Sequence, residues 1–158
     1  MSAVRTLVRR LQERRTDEAG TAIVELVWLA ILLLVPLVYI VVAVLQTQRA
    51  SYAATTAARS AGRAFVTSET EAAAPGRARA AAALAFQDQH VPSGRMRLTL
   101  TCRPDPANCL APGSVVLADV RTSVLLPLVP DALGGNAPRI RVEASSRSPY
   151  GTFREDRP

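Results

Sequence analysis

Lysine is absent from this chain, and all 19 basic residues among its 158 are arginine. Histidine occurs once, at His90, and cysteine twice, at Cys102 and Cys109. A single histidine is too few for the metal sites and acid–base pairs that rely on convergent ligands. Six residues separate the two cysteines, whereas a redox motif has two between them. No lysine follows Gly134-Gly135, which therefore reads as a turn and not as a phosphate-binding loop. These absences leave no catalytic residue, no metal ligand and no cofactor site, and the expectation is a protein that is not an enzyme. Aromatic residues make up 4% of the chain, and only Tyr52, Phe65 and Phe86 lie between Tyr39 and Tyr150. The formal charge is +6, but the arginines are spread along the sequence without a recognisable reading element, so no nucleic-acid partner is expected.

What the chain does have is one long apolar run. From Leu26 to Leu45, twenty residues pass without a charge, an amide or a glycine. As a helix rising 1.5 Å per residue, such a run spans roughly 30 Å, the thickness of a bilayer's hydrocarbon core. Pro36 in its middle removes one backbone hydrogen bond and is expected to kink the helix, which membrane helices tolerate. The run is longer than the core of a secretory signal peptide, and its nearest small-residue cleavage site, Ser51-Tyr52-Ala53, lies beyond several polar residues. It therefore reads as a retained membrane helix. The arginines ahead of it (Arg5, Arg9, Arg10, Arg14 and Arg15) place the N-terminus in the cytoplasm and the rest of the chain outside. Cys102 and Cys109 then both face an oxidising space, where a disulfide closing the loop from Arg103 to Asn108 is expected, two unpaired thiols being the alternative.

One carboxylate stands at the mouth of the apolar run. Glu25 follows Gly20-Thr21-Ala22-Ile23-Val24, and Gly20 ends the charged leader. Taken alone, Glu25 reads equally as an interfacial acid or as one favoured by a helix N-terminal dipole. In this setting the pattern resembles the class III signal of type IV pilin-like proteins, in which a peptidase cuts after a glycine and the mature chain carries glutamate at its fifth residue. More narrowly, Ala22-Ile23-Val24-Glu25 and the apolar residues after it resemble the start of TadE-like minor pseudopilins of the tight-adherence (Tad/Flp) pilus system. Leu26 stands where the major pilins of that system often carry an aromatic residue, and the chain is much longer than those subunits. The resemblance implies cleavage between Gly20 and Thr21. It further implies pairing of Glu25 with the terminal amine of a neighbouring subunit, and as partners the membrane, a prepilin peptidase, other pilin-like subunits and the Tad secretion machinery.

Beyond the run, Ala50, Ala54, Ala57, Ala61 and Ala64 follow a four-three spacing together with Ala43 and Thr47, giving a small-residue seam on one helix face. That seam packs either on other pilin-like helices or on this chain's own domain. Pro75-Gly76 breaks the helical pattern, and a second alanine-rich helix is predicted from about Arg77 to Gln89. Apolar and polar residues then alternate at 96–103, 116–124 and 139–144, predicting three strands. The expected fold class is α+β: a transmembrane helix continuing into an alanine-rich helix, then a small exported antiparallel sheet of about three strands. The segments read as a leader at 1–20, a membrane helix at 21–46, alanine-rich helices at 47–90, a β domain at 91–147 and a flexible tail at 148–158. An unprocessed single-pass anchor with a ligand- or partner-binding domain outside the membrane is the alternative, and a soluble domain cut after Ala53 is a third reading.

Overall fold

The computed structural model describes residues 2–125 and 139–157, with side chains described from Thr21 onward. The chain divides into two compact units, Met1–Val41 and Val42–Pro158. One helix, α1 (Ser2–Val66), contributes to both, and it contains Pro36 without ending there. In the first unit α1 is the whole of the described structure. The second unit adds α2 (Ala74–Asp88), a short 3₁₀ turn at Ser93–Arg95, and strands β1 (Arg97–Arg103), β2 (Val115–Leu125) and β3 (Arg139–Pro149).

The strands form an antiparallel meander in the order β1-β2-β3. Their period-two alternation decides the two faces. Leu98, Leu100 and Cys102 pair with Val120, Ala118 and Val116, and these pair in turn with Ala144, Ser146 and Ser148. That face joins a single buried cluster with the alanines of α1 and with Ala78, Ala82, Ala85 and Phe86 of α2. The opposite face carries Arg97, Arg121 and Glu143 in one row and stays exposed. The result is an α+β unit with its helices on one side of the sheet.

Alanine sets the spacing of this core. Ala50, Ala53, Ala54, Ala57, Ala58 and Ala61 are all fully buried, so α1 presents little more than methyl groups to its neighbours. Each alanine removes little apolar area from water, but small side chains let a helix and a sheet approach closely, and the bulk is supplied elsewhere. Phe86, Leu110, Val116, Val120 and Tyr150 are the large side chains that fill the remaining space.

Three boundaries differ from the sequence reading. First, α1 ends at Val66, and Pro75-Gly76 does not break a helix but sits in the first turn of α2. There the missing proline N–H has no helical partner to lose. Second, α2 runs from Ala74 to Asp88, where the sequence predicts about Arg77 to Gln89. Third, the tail from Ser148 onward is not loose. β3 continues to Pro149, Tyr150 is only 2% exposed, and its hydroxyl donates to the Glu155 carbonyl at 2.7 Å. Arg154 donates to the Val66 carbonyl at 2.8 Å and Arg157 to that of Ser68 at 3.1 Å. These are carbonyls at the end of α1, where a cation also meets the negative end of the helix dipole. The loop predicted between Pro127 and Pro138, with its Gly134-Gly135-Asn136 turn, falls outside the described residues.

Candidate functional site

The chemistry available to this chain begins with the apolar part of α1. From Ile23 to Leu45 its large side chains are exposed, from 48% at Val44 to 68% at Leu32, except for the half-buried Tyr39 and Val42. A helix that is apolar on every side and covered by none of the described residues is of the kind that spans a membrane or packs into a larger core. This is the one helix among the described residues long and apolar enough to cross a membrane, and it lies near the N-terminus. Thr21 and Glu25 are both exposed at the start of it, one helical turn apart. Among the described residues Glu25 has no ion-pair partner. The surroundings of Gly20 lie outside the described side chains.

The alanine seam is resolved into an internal surface. Ala50, Ala54, Ala57 and Ala61 are each 0% exposed inside the Val42–Pro158 unit, and Ala64 is half-buried. Of the two alternatives for this face, the structure uses it within the chain. Gly62, on the same side of α1, faces Ser148 and Ala118 on the sheet.

Cys102 and Cys109 form a disulfide with their Cα atoms 5.3 Å apart, and both are buried. The loop it closes is tied down from two sides. The Cys109 N–H donates to the Glu71 carboxylate at 3.1 Å, and the Ser114 hydroxyl donates to the Cys109 carbonyl. Glu71 thereby links the α1–α2 connection to the disulfide loop, a role its sequence position does not reveal.

His90 has a structural part. It adopts φ 55° immediately after α2, its N–H donates to the Gln87 carbonyl at 2.9 Å, and Val91 N–H donates to that of Phe86 at 3.0 Å. These two bonds make a Schellman cap with His90 in the left-handed position usually held by glycine. Among the described residues no group of three or more potential metal ligands comes together.

The fold does gather something that the sequence scatters. Arg95, Arg97, Arg121, Arg139 and Arg141 line one open cleft on the exposed face of the sheet, with Glu143 as the single acid among the described residues. Arg121 and Glu143 stand 3.5 Å apart and both remain half or more exposed. Nothing in the order of residues marks this cluster, because strand pairing and not chain proximity assembles it. Comparison of the chain with models of known protein families, with curated proteins and with solved structures finds no match in any of the three.

Proposed function

We propose that this chain is a TadE-like minor pseudopilin, cut between Gly20 and Thr21 and anchored by its apolar helix while it supports assembly of a Tad-type pilus. The observation that carries the reading is the register of Gly20, Thr21 and Glu25 at the start of an exposed apolar helix. Cleavage there would leave a free ammonium on Thr21, four residues before a carboxylate that no described cation of its own chain neutralises. A carboxylate deep in hydrocarbon costs about 2.5–3.5 kcal/mol, and less near the interface. An opposite charge from a neighbouring subunit would offset that cost. On this reading the membrane is the cell membrane, the leader is cytoplasmic and the Val42–Pro158 unit is outside, where its disulfide is at home. Its partners are a prepilin peptidase, other pilin-like subunits and the secretion machinery of the pilus.

The exposed apolar side chains of α1 support the same reading, since such a surface is suited to packing side by side with like helices. The test is Gly20→Ala in a host with an active prepilin peptidase. The wild-type chain should be shortened by the mass of residues 1–20 and the variant should keep its leader. Equal processing of both, or of neither, would leave a plain single-pass anchor with a domain outside the membrane.

A further inference from the structure

We infer that the free edge of β3, between Ser145 and Pro149, takes up an extended acidic segment of a partner protein as a fourth strand, with Arg59 and Arg63 of α1 as the cations that select it. This depends on the Val42–Pro158 unit alone, and it holds whether or not the chain is a processed pilin-like protein.

Among the described residues β3 has no neighbour on one side, since the sheet order is β1-β2-β3. In an antiparallel ladder, alternate residues turn both N–H and C=O to the partner strand, and the residues between them turn theirs outward. Tyr150 N–H donates to the Ser114 carbonyl at 2.9 Å, one step beyond the Val115–Pro149 pair, and the register runs on from that pair without a break. Ser148, Ser146 and Ala144 therefore bond to β2, while Arg147, Ser145 and Glu143 present their backbone groups at the edge. Pro149 fits the same parity, because the N–H it lacks is one the ladder does not use. Among the described residues nothing bonds to the edge groups of Ser145 and Arg147. Both lie toward Pro149, away from the Arg139 end where β3 begins.

α1 runs beside this edge. Ile140 shares a cleft with Thr47 and Ser51, and Ser148 faces Gly62, so α1 follows β3 along the sheet. Near Pro149 the two elements enclose an open groove, lined by Arg59, Arg63 and Val66 on one side and by residues 146–149 on the other. Arg59, Arg63 and Arg147 are exposed, and among the described residues none of their guanidinium groups has a hydrogen bond or an ion pair. No acid among the described residues lines the groove.

Two features select the occupant. The edge offers C=O acceptors as well as N–H donors, and an added strand uses both, whereas a phosphate group uses donors alone. The cations also match the repeat of an extended chain. Arg59 and Arg63 lie one helical turn apart, about 6 Å along the axis, and alternate residues of a strand are roughly 6.4–6.8 Å apart on one face. Acids at alternate positions of the added strand thus fall beside the two guanidinium groups in turn, and arginine–carboxylate pairs are among the stronger hydrogen bonds. The same cations, with Arg147, repel a basic segment. No aromatic ring lines the groove, so nucleic-acid bases have nothing there to stack on.

The experiment uses the full chain in detergent and a capped peptide alternating glutamate with valine. Fluorescence anisotropy reads affinity, and NMR reads amide hydrogen exchange residue by residue. Bound peptide should protect the Ser145 and Arg147 amides and leave those of Ala144 and Ser146, already bonded to β2, as they were. Arg59→Gln with Arg63→Gln should weaken binding roughly three- to tenfold at low salt. Arg77→Gln with Arg79→Gln, at exposed positions of α2, should leave it unchanged. Ser145→Pro should abolish it, since proline there removes only an edge N–H. The same peptide N-methylated throughout keeps its charges and should not bind, an arm that needs no folded variant. Equal affinity for the N-methylated peptide, or the same amide shifts from inorganic phosphate, would overturn the inference in favour of a plain anion site. So would an acidic peptide that fails to bind, or that binds without protecting Ser145 and Arg147. Edge protection that rises with protein concentration in the absence of peptide would overturn it in favour of a second copy of the chain.

Discussion

Gly62 in α1 lies directly against Ser148 in β3. A Cβ placed on residue 62 would collide with the Ser148 hydroxyl and come within 3.1 Å of the Ser148 Cβ. Helix and sheet are therefore as close here as two backbones with one intervening side chain allow, and glycine is retained despite its cost inside a helix of roughly 1 kcal/mol relative to alanine.

Gly62→Val should accordingly destabilise the Val42–Pro158 unit by about 1–3 kcal/mol, the usual cost of forcing extra carbons into a packed interior. Chemical unfolding of the detergent-solubilised chain measures it. The loss should shrink when Ser148→Gly is added, because the two residues share one space. Additive losses would show that the contact is not the cause.

The disulfide should matter through the unfolded chain. Replacing Cys102 and Cys109 together by alanine is expected to cost about 2–3 kcal/mol, from the entropy returned to an eight-residue loop in the unfolded state. The readout is the shift in unfolding midpoint. A reductant should lower the midpoint of the wild type and leave the double variant unchanged.

Tyr150 is the anchor of the C-terminal segment. Tyr150→Ala should cost about 3–5 kcal/mol, as for other buried aromatic side chains. Tyr150→Phe, which removes only the bond to Glu155, should cost about 1 kcal/mol. Arg154 stacks its guanidinium 4.7 Å from the Tyr150 ring and donates to Val66. Arg154→Ala should therefore loosen the end of α1, seen as faster amide exchange at residues 64–68 with the sheet unaffected.

His90 should be improvable. Because it holds a left-handed backbone at the cap of α2, His90→Gly is expected to stabilise the unit by about 0.5–1 kcal/mol. A functional histidine would instead show its loss in activity or binding without a gain in stability.

How much of this was legible in the sequence follows from what each feature depends on. The apolar run, the three strands and the cysteine pair were readable because each is local: length, period-two alternation and a short loop carry the information. The docked tail was not, since Arg154 and Arg157 act on the Val66 and Ser68 carbonyls, more than eighty residues away, while Tyr150 ties the tail to itself through Glu155. A charged, proline- and glycine-bearing segment looks frayed until its acceptors are in place. The end of α1 was misjudged because Pro75 marks a helix start as readily as a helix stop. The alanine seam had the right positions with two possible partners, and only the fold showed that the chain's own sheet and second helix cover it. The arginine cluster was invisible for the same reason, its members coming from three strands and a turn.

The most direct test of the central claim is the mass of the N-terminal peptide of the membrane-extracted protein from a host with an active prepilin peptidase. A mature chain beginning at Thr21 is the predicted result, and it would make Glu25→Ala the next variant, with lost association between subunits as its expected effect. A peptide that still carries residues 1–20 would contradict the pilin reading.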